Sequence, residues 1–351
     1  MRENIRKKPK SFILFLFILL FIVIVYSATI GTVDIPFQKV LAIILSEIPL
    51  VGKWFPTFEG TDRTIVISLR LPRIIMGMIV GSSLAVSGTS MQGVFKNPLA
   101  SPFILGVSAG GGMGAAVGIF IGVTYHLLPL FAFGTALGTV ILVFALGRVR
   151  GKTDIATLLL AGLAMNFLMT GLTSYIRYIS PPGKKIRMRI LRFMLGTLQH
   201  SLWKEVLLLL PIMLLGISLV FAYSKDLNLF QMGEESAMQL GVEVERTKKI
   251  QLFTSSLLAA TMVAFTGVIG FVGLMMPHAA RLMVGPDHKK LIPTSALFGA
   301  IFLVTCDTIS RMMGEIPIEF VREIPVGIVT VLLGSPFFIY LLVRNRGETG
   351  W

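Results

Sequence analysis

Long uncharged apolar runs recur along this chain, separated by short polar or proline-bearing breaks. Residues 11–33 form the first run, after a basic start at Arg2, Arg6, Lys7, Lys8 and Lys10. It is too long for the core of a secretory signal and no A-x-A site follows, so it predicts a retained first span with its N-terminus inside. Residues 34–69 read as a mixed connection with Pro36, Pro49 and Pro56. The run 74–95 then crosses about 30 Å of hydrocarbon as a second helix, from outside to inside. Asn97 to Gly147 carries no charge and is too long for one crossing, so Tyr125, His126 and Pro129 mark the break between spans three and four.

The pattern continues with span five over 155–176, span six over 206–224, and a polar segment, 225–249, that reads as one or two short helices. Gly267, Gly270 and Gly273 divide the next run into span seven and a short span eight. Span nine covers 291–313 and span ten 324–343. The count is ten, with the glycine-rich break leaving nine or eleven open, and the chain ends inside at Arg344 and Arg346. The expected product is one transmembrane domain over residues 1–351, all-α, with both termini cytoplasmic.

Two stretches of small residues set the expected packing. Residues 70–102 open on Arg70 and Arg73 around Pro72, continue through Gly77, Gly81, Ser83, Ser87 and Gly88, and stop at the polar turn Asn97-Pro98-Leu99. Lipid offers no hydrophobic drive for helix association, so small residues that admit close backbone approach place this helix inside a bundle. Span three carries Gly106, Gly110, Gly114, Gly118 and Gly122, a ridge expected to lie against a neighbouring helix.

Composition agrees. The chain has 351 residues, 54% hydrophobic and 14% charged, and the alternating segments of a membrane β-barrel are absent. Cys306 is the single cysteine, so neither an internal disulfide framework nor a cysteine metal cluster is available. The net charge of +14 fits basic loops beside anionic headgroups, not nucleic acid. Lys and Arg favour the inner loops only weakly, and the outer connection 177–204 is itself basic. Arg70, Arg73 and Arg311 all fall at outer helix ends, where they would meet carboxylates of a partner or lipid phosphates.

Several chemistries are excluded. There is no G-x-x-x-x-G-K-[ST] motif, so any ATP must be bound by another subunit. An intramembrane protease needs H-E-x-x-H or two facing aspartates, and 277–281 reads Pro-His-Ala-Ala-Arg, which leaves His278 a helix-end group. An ion-coupled secondary transporter would carry ionisable groups at mid-membrane. Only Asp307 and Arg311 lie near a span, four residues apart and spaced to pair with each other.

Arg70-Leu-Pro-Arg73, Ser87-Gly88 with Gln92, Asn97-Pro98-Leu99-Ala100, Leu105-Gly106 with Ser108, Gly270 to Leu274, Pro277-His278 with Arg281, Asp287-His288, Asp307 with Arg311, and Glu323 to Gly327 follow one another in a specific order. Over about residues 70–344 the chain resembles the permeases of ABC importers for iron siderophores, haem and vitamin B12, the FecCD type. The resemblance implies a type II ABC importer permease fold of ten helices, in the inner membrane, working as a homo- or heterodimer. It further implies two cytoplasmic ATPase subunits, an extracytoplasmic substrate-binding protein and no cofactor of the permease itself. The cargo implied is an iron(III)-siderophore or similar chelate, with cobalamin or haem as the alternative. By the same resemblance Arg70, Arg73 and Arg311 dock the binding protein. Gly233, Glu234, Glu235, Ala237, Leu240 and Gly241 belong to the segment that rests on the ATPase. Asn97, Pro98 and Leu99, with Asp154, Ile155 and Ala156, form a cytoplasmic gate.

Overall fold

The computed structural model describes residues 9–31, 33–48, 52–54, 56, 58–149, 152–181, 185–314 and 323–344. Arg2, Arg6, Lys7, Lys8, Arg150, Pro182, Lys184 and Arg346, and the expected outer loop over 315–322, lie outside the described residues.

The chain is helical almost throughout. Its helices are α1 (Pro9–Thr29), α2 (Phe37–Ser46), α3 (Thr61–Phe95), α4 (Val107–Phe120), α5 (Leu128–Leu146), α6 (Ile155–Ile179) and α7 (Ile186–Leu195). There follow α8 (Trp203–Ala222), α9 (Ser224–Phe230), α10 (Glu234–Gln239), α11 (Val244–Thr266), α12 (Val272–Val284), α13 (His288–Met313) and α14 (Val326–Arg344). One hairpin, β1 (Arg148–Val149) with β2 (Lys152–Thr153), joins α5 to α6. Among the described residues seven helices have the length and hydropathy to cross a membrane: α1, α3, α5, α6, α8, α11 and α13. The apolar helices α4 and α12 are shorter, as is the described apolar part of α14.

The centre is the pair α3 and α13, the most extensively packed helices in the structure. They run antiparallel: Arg73 meets Asp307 near the end of α13, while Gly93 lies against His288 at the start of α13. Because α3 begins at Thr61, Arg70 and Arg73 lie inside the helix and not at its end as the sequence suggests. Their crossing is built on glycine. A Cβ on Gly81 would overlap the carbonyl of Gly299, and one on Gly299 the carbonyl of Gly81. A Cβ on Gly88 would likewise overlap Gly273 O on α12. From Leu71 to Phe95 helix α3 is accordingly buried on nearly every side, as its small residues predict. It extends further than the uncharged run, starting at Thr61 with a π-helical stretch, Ile65–Arg70. Pro72 explains the irregularity, because its ring clashes with the carbonyl four residues back and removes one ladder hydrogen bond.

The glycine ridge of α4 lies against α5 from Gly106 to Gly118, but Gly122 falls beyond the helix end at φ +81 and has nothing within 4 Å of a Cβ, so it belongs to the turn and not to the ridge. Gly110 faces Thr139 and Thr135 of α5, Gly114 faces Phe131 and Thr135, and Gly118 faces Leu128 and Phe131. Gly106 adopts φ +82 at the start of the helix and faces Thr139, so it serves as much for its backbone as for its size. The outer faces of α1, α6 and α8 expose Phe15, Phe17, Phe167, Leu163, Leu207 and Leu215. That is the surface of a helix standing in lipid, not water.

The basic connection 177–204 acquires a structural reason. Arg187 donates to the carbonyls of Tyr178 and Ser180 and so closes the end of α6. The break between α11 and α12 leaves backbone groups without helical partners, which is tolerated inside a membrane only against other protein. The end of α7 supplies them: Val268 N–H donates to Phe193 O at 3.2 Å, and Thr197 N–H donates to Thr266 O at 2.7 Å. Gly196 and Gly267 admit this approach, since a Cβ on either would overlap backbone of the other segment.

Gly114→Leu is expected to destabilise the fold by about 3 kcal/mol or more, because beside Thr135 Oγ1 the obstacle is the Phe131 carbonyl, which cannot swing away as a side chain can. Gly134→Leu on α5, whose Cβ would meet nothing within 4 Å, is expected to be silent. Detergent-phase thermal unfolding and monodisperse yield of the two variants measure this, and equal behaviour would place the α4 ridge elsewhere.

Candidate functional site: two clusters at opposite ends of the central helices

The first cluster gathers the three arginines singled out in the sequence. Arg73 donates through Nε to both oxygens of Asp307, at 3.0 and 3.1 Å, and its Nη2 lies 2.9 Å from Asp307 Oδ1. Its Nη1 donates to Glu323 Oε2 at 3.0 Å. Arg311 Nε lies 3.2 Å from Asp307 Oδ2, as the i, i+4 spacing predicts. The Asp307 side chain is 2% exposed and those of Arg73 and Arg311 11% and 7%, so this is a buried ionic group. Burying such charges costs several kcal/mol each unless they are paired and hydrogen-bonded; every charge here is paired, while Arg311 Nε is held by the ion pair alone.

The remaining donors close the end of α1, whose last carbonyls have no partner inside the helix. Arg70 Nη1 donates to Ala28 O at 2.6 Å and Thr29 O at 2.9 Å, and its Nη2 donates to Val33 O. Arg311 donates to Ile30 O and to Ser27 Oγ, both at 2.6 Å. The group borders a recess of about 800 Å³ lined also by Tyr125, His200 and Ser201. The structure thus brings Arg70, Arg73 and Arg311 together, but turns most of their donors into the chain. Sequence reasoning missed Arg73–Asp307 and Arg73–Glu323, whose partners lie more than two hundred residues apart and carry no local signature.

The second cluster lies at the other end of α3, about 30 Å away by helix rise. There α9 and α10 form two short helices joined through Gly233, at φ 112. Leu227, Phe230 and Ala237 are buried, while Glu235, Leu240 and Gly241 are exposed and Glu234 is half-buried. Asn228 ties α9 to the start of α13, donating to Asp287 Oδ1 and accepting from the His288 N–H, both at 2.8 Å.

Both segments expected to form a gate lie in the same cluster. At the end of α3 the chain turns through Lys96, at φ 51, and Asn97 Oδ1 accepts the Leu99 N–H at 2.9 Å. Pro98 is half-buried and Leu99 exposed. At the start of α6, Asp154 accepts from the Thr157 N–H at 2.8 Å and from its hydroxyl at 2.6 Å, an N-cap. Those bonds hold the Asp154 carboxyl below the usual range, with a smaller contribution from Lys248. Phe95, Ala100, Leu158, Leu227, Phe230, Ala237 and Val244 form one hydrophobic core, with Ile155 packed on it and Ala156 exposed beside it.

Comparison with known proteins places this geometry. Residues 19–344 match the FecCD transport family. The cobalamin import system permease of Halobacterium salinarum is 44% identical over 288 residues, 82% of this chain and 75% of the relative. The hemin transport system permease of Yersinia pestis is 37% identical over 357 residues, covering 98% and 99%. Among solved structures, an inward-facing metal-chelate type ABC transporter superposes with a TM-score of 0.83 at 30% identity, over 95% of this chain and 99% of that one. With the match running from α1 to the end of α14 and the same fold in a solved transporter, the chain belongs to the FecCD transport family.

Proposed function

We propose that this chain is the transmembrane permease subunit of an ATP-driven importer in the inner membrane, passing an iron(III)-siderophore or similar metal chelate. The observation that carries the reading is the second cluster: two short helices packed at one end of the central pair, with exposed outer residues, and sharing a core with two chain turns. A permease without a nucleotide motif must receive its work mechanically, and this segment is the one shaped to receive it. Two copies, or this chain and a related one, would enclose the path. Two ATPases would sit under α9 and α10, and a binding protein would dock at the arginine end. In this reading α4, α12 and α14 complete ten membrane helices around the seven long ones, and both termini are cytoplasmic. Asn97, Pro98 and Leu99 with Asp154, Ile155 and Ala156 would close the inner end of the path.

The cobalamin and hemin permeases among the relatives support a second cargo reading, with the same machinery and a different chelate. Uptake into proteoliposomes holding the permease, ATPase and binding protein separates these. Ferric siderophore, haem and cobalamin are each offered with ATP, without ATP, and with an ionophore. ATP-dependent uptake unaffected by the ionophore is expected; uptake driven by an ion gradient alone would make the chain a secondary transporter.

Gly241 adopts φ 86 with nothing within 4 Å of a Cβ, so a bulky residue there strains backbone without a clash. Gly241→Val is expected to cost roughly 1–3 kcal/mol locally and to lower uptake and transport-stimulated ATPase activity, with the protein still inserted. Normal uptake for this variant would remove α10 and the turn after it from the coupling role.

The buried state of Arg73 alters how docking is tested. Arg73→Glu would set three carboxylates together and confound docking with stability. Glu323→Gln instead releases Arg73 Nη1 toward an incoming carboxylate. Binding-protein affinity is expected to rise roughly two- to fivefold and to become more salt-sensitive. An unchanged affinity at low and high salt would leave the arginines as internal ties of α1, α3 and α13.

A further inference from the structure

The first turns of α11 hold a buried ammonium, Lys248. The Lys248 side chain is 4% exposed; its Nζ lies 2.7 Å from Glu234 Oε2 on α10 and 3.7 Å from Glu245 Oε1 on its own helix. Glu245 passes the contact on, its Oε2 accepting the Thr153 N–H at 3.0 Å. Thr153 ends β2, and the next residue, Asp154, is the N-cap of α6. Thr247, beside Lys248, donates to Asp226 on α9 at 3.1 Å. One turn of α11 therefore grips both short helices on one side and the start of α6 on the other.

We infer that Lys248 is the positioning residue that carries displacement of α9 and α10 to the β1–β2 hairpin and the start of α6. This rests on the proposed coupling and gating roles of those segments. The physical basis is stiffness. A buried ammonium cannot leave one carboxylate without losing a contact that water does not replace, so α10 and α11 move together. Glu245 sits between that ammonium and a backbone N–H, which makes the hairpin follow the same displacement. The hydrophobic core shared by Ala237, Val244, Leu158 and Ile155 resists compression along the same line. A packing contact alone would tolerate a neutral side chain of equal length at position 248; a charge-held strut would not.

The test uses the complete transporter, with its ATPase and binding protein, in nanodiscs. Cargo moved per ATP is measured in proteoliposomes, and gate motion by maleimide labelling of Ala156→Cys with and without vanadate-trapped nucleotide. Native Cys306 is buried and gives a low background. Lys248→Met is expected to lower transport per ATP roughly fivefold or more and to abolish the nucleotide-dependent change in labelling, whereas Lys248→Arg stays within about twofold of wild type. Should Lys248→Met fail to fold, Glu245→Ala decides, since it cuts the link to Thr153 and leaves Lys248 paired with Glu234. The same loss of gate response is expected there. A wild type that shows no nucleotide-dependent labelling and no ATP-driven uptake defeats the proposed function itself. A responding wild type with an equally responding Lys248→Met, or Glu245→Ala where Lys248→Met does not fold, overturns the strut alone.

Discussion

Everything in this molecule depends on how closely α3 and α13 approach each other. In a hydrocarbon surrounding, one apolar helix gains nothing from leaving lipid for another apolar helix. Association must come from backbone-to-backbone contact, and that requires positions with no side chain at all. Gly81 and Gly299 supply one such point and Gly88 with Gly273 a second. Once these are closed, the antiparallel course of the two helices carries Arg73 to Asp307 at one end and Gly93 to His288 at the other. Both clusters are therefore set by the same glycine contacts.

The two ends handle charge differently. At the arginine end Asp307, Arg73 and Arg311 are nearly sealed while Glu323 is partly exposed, and the guanidiniums also close the open carbonyls of α1. Removing one member there would strand a buried charge, so the group is a tie between α1, α3 and α13 before it is anything else. At the other end the charged side chains are partly wet, and Glu234 and Glu245 remain about one-third exposed. The carboxylates can be reached from outside, but the Lys248 ammonium between them is buried, so the group moves as a unit and does not open in place. A sealed cluster suits a fixed frame, and a partly solvated one suits a moving contact.

Broken helices are the third device. Interrupting α11 at Gly267 exposes peptide groups at membrane depth, and the end of α7 is laid across them to provide the missing hydrogen bonds. The weakness of the inside-positive bias is partly explained by the same element. Arg187 on α7 is spent on the last carbonyls of α6, so its charge serves local structure and not topology.

What the sequence by itself determined is the set of properties that repeat locally. Uncharged runs of known length mark the long helices, glycines at every fourth position mark the packed face of α4, and Asp307 with Arg311 pairs at helical spacing. The breaks at Tyr125 and at Gly267 were legible for the same reason, since proline and glycine act on their own backbone. Tertiary structure alone decided what meets across the chain. Arg73 finds Glu323 and Glu245 finds Thr153 because helix ends distant in sequence are brought together by packing, and Lys248 finds Glu234 because the turn between α10 and α11 folds one helix back on the other. No periodicity encodes such pairs. A residue's partners depend on where its helix ends in three dimensions, and that is settled by close contacts of glycine with backbone.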